Sequence, residues 1–229
     1  MKTLHNFAHA LCFIFLLSPL AMHSAAAEDV THDGLVEVES DKVERLFVKP
    51  GATLEAYNRI ALLDCYVAFR KNWQRDQASS VHRVSKKDMD RIKEKVAEEF
   101  RTVFVDELQA KGGYELTDTG GEDVLILRPA IIDLDVTSPD LNTAGRSREF
   151  SASAGAMTLY LELHDGLTGE IIARIADRRA ARDTGYMQFR NSITNKRDAD
   201  RLLRKWASLL REALDHAHTQ IKQPEDSDA

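Results

Sequence analysis

A chain of 229 residues with 37 acidic against 31 basic side chains carries a formal charge of −6. That balance argues against a nucleic-acid binder, because such proteins usually hold excess positive charge. Hydrophobic residues make up 43% and aromatics 7%, too many for a disordered chain and enough for one packed domain.

The N-terminus reads as an export signal. Lys2 supplies the positive region, Leu11 to Leu17 the apolar run, and Ser24-Ala25-Ala26-Ala27 the small residues before a cleavage point. Residues 1–27 are therefore expected to be a signal peptide cut after Ala27. The run is far shorter than the roughly 20 residues that span a bilayer, and no later segment is apolar for long enough. The mature chain is accordingly expected to be soluble, periplasmic or secreted, with no transmembrane segment. Cys12 follows Leu11 inside the run, the wrong context for lipid attachment. Cleavage leaves only Cys65, which excludes an internal disulfide and a Cys-rich zinc site. Among strand-like neighbours it reads as a buried, inert thiol.

Residues 28–45 are polar and acidic with little periodicity, the pattern of a flexible leader, so a single domain is expected over 46–221 and a disordered acidic tail over 222–229. Leu46-Phe47-Val48 is a short strand stopped by Pro50-Gly51. Tyr57 to Phe69 reads as one longer strand, with Leu63, Cys65, Val67 and Phe69 on one face. Arg70 to Arg83 reads as loop. Ser85 with Asp88 three residues later announces a helix whose apolar positions run Met89, Ile92, Val96, Phe100, Val103 and Leu108, ending at Gly112-Gly113.

Tyr114-Glu115-Leu116 is a short extended piece. Val124 to Val136 predicts a long strand with Val124, Ile126, Ala130, Ile132, Leu134 and Val136 as its apolar face, and Pro129 demands an edge position or a bulge. Met157, Leu159, Leu161 and Leu163 define the inward face of the next strand, which turns His164 toward solvent. Another strand runs from about Glu170 to Ala180, and a last helix begins near Asp198 with Leu203, Trp206, Leu210, Ala213 and Ala217 in one stripe. The fold class is α+β: a mainly antiparallel sheet of about four to five strands with two amphipathic helices packed on one face.

Asp133 and Asp135 share a strand face, as a general acid and base would, but the buried side defined by Ile132, Leu134 and Val136 leaves both carboxylates wet. His32, His82, His164, His216 and His218 match no zinc spacing, and no phosphate-cradling loop or nucleophile elbow occurs, so no metal, cofactor or catalytic residue is assigned. From Arg174 to Arg211 the chain has eleven Lys or Arg against four Asp. Arg178, Arg179, Arg182 and Arg190 are the candidate anion-contacting rim, for anionic lipid, glycan or an envelope protein. The competing reading scatters these charges over several solvated faces. Asp165 to Glu170 supplies what a hairpin connection needs.

Asp33-Gly34-Leu35, Val48-Lys49-Pro50-Gly51-Ala52 with Leu54 and Tyr57, Trp73, Asp165 with Thr168-Gly169-Glu170, and Trp206 together resemble the bacterial envelope family catalogued as domain of unknown function 3313. The resemblance covers nearly the whole mature chain. It implies an exported protein, often a lipoprotein in that family, with no established activity or catalytic residues; the context of Cys12 departs from the lipoprotein pattern. The resulting expectation is a non-enzymatic binding or accessory protein of the cell envelope, the alternative being a hydrolase using Asp133 or Asp135. No oligomeric state is specified by the pattern.

Overall fold

The structure, a computed structural model, describes residues 30–77, 84–136, 149–151, 155–180, 188–190 and 192–220. The expected signal peptide 1–27 and tail 222–229 lie outside the described residues.

In chain order the elements are β1 (Val36–Val38), β2 (Arg45–Val48), β3 (Arg59–Leu62), β4 (Tyr66–Phe69), α1 (Trp73–Asp76), α2 (Lys86–Gln109), β5 (Glu115–Leu116), β6 (Val124–Val136), β7 (Glu149–Ser151), β8 (Gly155–Asp165), β9 (Ile171–Ala180), β10 (Gln188–Arg190) and α3 (Ser192–Gln220). The main sheet runs β1-β2-β9-β8-β6-β3-β5, with β4 also against β6, while β10 and β7 form a separate ribbon. Pairs β3–β5, β3–β6 and β4–β6 are parallel. The other pairs in this sheet are antiparallel. The α+β class therefore stands, but among the described residues the expected sheet of four to five mainly antiparallel strands is corrected to a mixed sheet of eight, and two helices to three. Strands of two to four residues are too short to show a two-residue period, which is why the pattern undercounts them.

The stretch from Tyr57 to Phe69 is two strands rather than one, interrupted at residues 63–65. This interruption explains Pro129. β6 is central, flanked by β8 on one side and by β3 and then β4 on the other. β3 pairs with residues up to Leu127 and β4 from Ala130 onward, so Pro129 lies where no parallel partner asks for its missing N–H. The edge expectation fails. A bulge does occur, but between Ile132 and Asp135, where Asp133 takes φ 50.

That bulge resets the phase of β6. Before it the buried residues are Val124 at the strand start and then Leu125, Leu127, Pro129 and Ile131, so that from Leu125 onward the register is opposite to the face expected from the sequence; after it Leu134 joins the core. On β8 the expected alternation holds, with Met157, Leu159, Leu161 and Leu163 buried.

α2 starts as the sequence predicts. Ser85 Oγ accepts from the Asp88 N–H and the Asp88 carboxylate accepts from the Ser85 N–H, both at 3.1 Å. It ends at Gln109, ahead of the glycine pair, and Arg211 of α3 donates to the freed carbonyls of Glu107 and Ala110 at 2.8 and 2.5 Å. α3 begins at Ser192, earlier than expected. Phe100, Phe104 and Leu108 of α2 and Leu203, Trp206, Leu210 and Leu214 of α3 form one core with the buried sides of β6 and β8, so both helices cover the same sheet face. The predicted loop after Arg70 contains α1, a single turn that buries Trp73; its indole stacks on Phe69 and donates to the Val136 carbonyl at 3.2 Å.

Residues 30–45, expected as a leader, also belong to this frame. β1 pairs with β2, and Leu35 is fully buried. The few apolar residues of this segment keep no regular period, yet the burial of Leu35 docks the turn.

Candidate functional site

β2 enters the sheet beside β9, with Leu46 opposite Ile175 and Val48 opposite Ala173. Those four side chains lie on the helix side of the sheet, the side on which Leu161 and Leu163 of β8 face α3. Between this strip and α3 runs a groove of about 430 Å³, completed by Leu54 and by Leu209 and Ala213 of the helix. Its walls are almost wholly apolar. Polar groups sit at its ends: Ser40 and Lys42 from the segment before β2, and Glu212 and His216 from the C-terminal part of α3. A concave apolar volume with a few polar groups is the usual form of a small-molecule site.

One end of the groove is fixed by Asp177, only 5% exposed. Its carboxylate accepts from Trp206 Nε1 at 2.6 Å, Arg179 Nε at 2.6 Å and the Glu44 N–H at 2.9 Å. A buried charge is tolerable only when so partnered. Arg179 also donates to the Lys42 carbonyl at 2.9 Å, which holds the segment carrying Lys42 against the sheet.

On the face of the sheet away from α2 and α3, Arg174 is the centre. Its guanidinium contacts both oxygens of Asp33 and bonds Glu162 Oε1 at 3.0 Å. Hydrogen bonding to Arg174 holds the Asp33 carboxyl far below the usual carboxylate range. Glu162 also meets His164 Nε2 at 3.4 Å. His164 thus lies on the face away from α2 and α3, opposite the buried side as expected, though only 18% of its side chain is exposed.

The candidate arginines do not converge among the described residues. Arg178 is exposed and Arg179 is turned to the other face, bound to Asp177. Arg182 lies outside the described residues, and of Arg190 the backbone alone is described, in β10. Asp133 and Asp135 form no dyad in the groove: Asp133 is exposed on the bulge, and Asp135 pairs with Arg70 Nε at 2.9 Å. Groups of His, Cys, Asp and Glu able to hold a metal ion are absent among the described residues. Cys65 is partly buried, and desolvation pushes its thiol up to about 12, the inert state expected.

The groove residues escaped sequence reasoning. Leu46, Val48, Ala173 and Ile175 look like any strand's core face, and only the spatial gap between α3 and β2 distinguishes them. Lys42 lay in the presumed leader.

The model of the family described as proteins of unknown function, DUF3313, matches residues 23–210. The chain belongs to the DUF3313 family. No curated protein matches it in sequence. Distant similarity extends to a PelC dodecamer from Paraburkholderia phytofirmans, at 10% identity over 72% of this chain and 96% of that one, with a TM-score of 0.38. Protein XCC0632 from Xanthomonas campestris is 9% identical over 77% and 94%, TM-score 0.33. The rare lipoprotein B from Shewanella oneidensis is 11% identical over 71% and 96%, TM-score 0.27. At these scores the likenesses carry no functional argument. Among the described residues, no helix is long and apolar enough to cross a membrane.

The residues that carry the DUF3313 resemblance fall at joints of the fold. Tyr57 donates to Asp165 Oδ2 at 2.9 Å, and Asp165 Oδ1 accepts from the N–H groups of Leu167 and Thr168. Lys49 pairs with Glu170 at 2.6 Å. Gly169 takes φ 73, as the hairpin between β8 and β9 requires. Asp33 binds Arg174, and Trp206 binds Asp177.

Proposed function

We propose that this DUF3313 protein is exported to the cell envelope and works there by binding rather than by catalysis, with the groove beside α3 as its ligand site. The groove carries the reading: its 430 Å³ falls within the range of small-molecule sites, and its apolar walls persist in a fold otherwise stitched by ion pairs. Support for export comes from the N-terminal pattern of Lys2, the apolar run and the Ala-rich cleavage context.

Two measurements test it. Native mass spectrometry of protein isolated from its producing cells should show a non-covalent mass that organic solvent removes and that Ala213→Trp abolishes. Ala213 is an exposed residue at the groove wall, so a larger side chain there blocks the groove without entering the core. The mature N-terminus should begin near Glu28. An intact Met1, or lipid on Cys12, overturns soluble export, and a ligand-free wild type that takes up no amphiphile overturns the binding reading.

A further inference from the structure

The chemistry of the groove narrows what fills it. The strands and the helix that wall it have their backbone groups paired: β2 by β1 and β9, β9 by β2 and β8, and α3 within itself. A peptide laid there would leave its own amides unpaired in an apolar trough, at a cost that side-chain contacts would have to overcome. A hydrocarbon chain has no such groups. Lengths agree, because the α3 segment from Trp206 to Ala213 spans about 10 Å and the four residues of β2 about 13 Å, along a floor to which β2, β9 and β8 all contribute side chains.

The two ends differ in charge. At the Trp206 end Ser40 Oγ accepts from the Lys42 and Val43 N–H groups, leaving its own O–H to donate outward. Lys42 pairs at 3.7 Å with Asp41, both side chains more than half exposed, so that contact is weak and replaceable. Arg179 nearby is already engaged by Asp177. Glu212, toward the other end, repels an anion. One ammonium and one hydroxyl suit a compact, singly charged acceptor; a phosphate dianion calls for more donors than this end provides.

Resting on the binding reading above, we infer that the groove takes a fatty acid, its chain lying along α3 between Leu46 and Leu54 and its carboxylate at Lys42 and Ser40. The test is titration of the intact mature chain with decanoate, 1-decanol and decylamine, read by calorimetry, for wild type, Lys42→Glu and Ala213→Trp. Wild type should hold decanoate about ten-fold more tightly than either competitor, the usual scale of one charge-assisted contact. Lys42→Glu should reverse the order in favour of decylamine, and Ala213→Trp should weaken all three. Equal binding of decanoate and 1-decanol, unmoved by Lys42→Glu, overturns the fatty-acid assignment while leaving an apolar site in place. Failure of all three to bind wild type overturns the groove as a ligand site, as does Ala213→Trp binding decanoate as well as wild type does.

Discussion

Trp206 donates its indole N–H to the Asp177 carboxylate at 2.6 Å, and this bond joins α3 to β9 at a point that is nearly dry. Arg179 and the Glu44 amide complete the set, so three separate parts of the chain depend on one carboxylate. Asp177→Ala strands Arg179 beside an apolar core and should cost about 3 kcal/mol. Trp206→Phe keeps most of the packing and should cost about 1.5 kcal/mol. Urea unfolding at neutral pH checks both; a wild-type midpoint for Asp177→Ala would show that the carboxylate holds nothing.

Stability should fall at high pH through Tyr57. Burial first, and then its bond to Asp165, push the phenol up to about 12 from 10.0. Between those values the unfolded chain has lost the proton and the folded chain keeps it, so raising the pH favours unfolding. Thermal melts from pH 9 to 12 should show a loss that Tyr57→Phe reduces. An identical slope in the variant would assign the loss to other groups.

At low pH the Asp33–Arg174 contact acts in the opposite direction. Its folded-state value is depressed by the hydrogen bond from Arg174, so its contribution is complete above the ordinary carboxylate value of 3.8 and is lost as the pH falls below it. Asp33→Asn should flatten the acid limb of the stability profile while leaving the neutral fold intact by circular dichroism. An acid limb as steep as that of wild type would contradict this assignment.

Asp133 should tolerate glycine and resist valine. Its φ of 50 is reached by Asp at modest cost and by a β-branched residue only with strain. Asp133→Gly should be neutral within about 0.5 kcal/mol, and Asp133→Val should destabilise by about 2 kcal/mol. Chemical denaturation separates them, and equal midpoints would mean that the bulge is not retained in solution.

Long elements were legible because they repeat a period. The capping pair Ser85 and Asp88, the alternation from Met157 to Leu163 and the α3 stripe at Leu203, Trp206 and Leu210 all follow from spacing, and the structure places them accordingly. β6 misled the same reasoning because both its faces are rich in apolar residues before Asp133, and Arg128, exposed between Ile126 and Ala130, is the one side chain that marks the outer face. Short strands such as β1 and β5 acquire their identity from partners, which spacing does not encode. The groove was hidden for a related reason: a core position and a groove wall differ in what stands opposite them. Strand alternation alone is enough to turn Arg178 and Arg179 to opposite faces, as β9 does.

The pairing of β2 with β9 has a consequence for how the molecule is made. Glu44 and Asp177, which meet beside it, are 133 residues apart, whereas β8 and β9 are joined by a short hairpin. Contacts of such separation form late, after the hairpin can have assembled. A chain emerging from its N-terminus therefore cannot close the groove until β9, and after it α3, have arrived. The groove is then completed by the last element of the chain to be made.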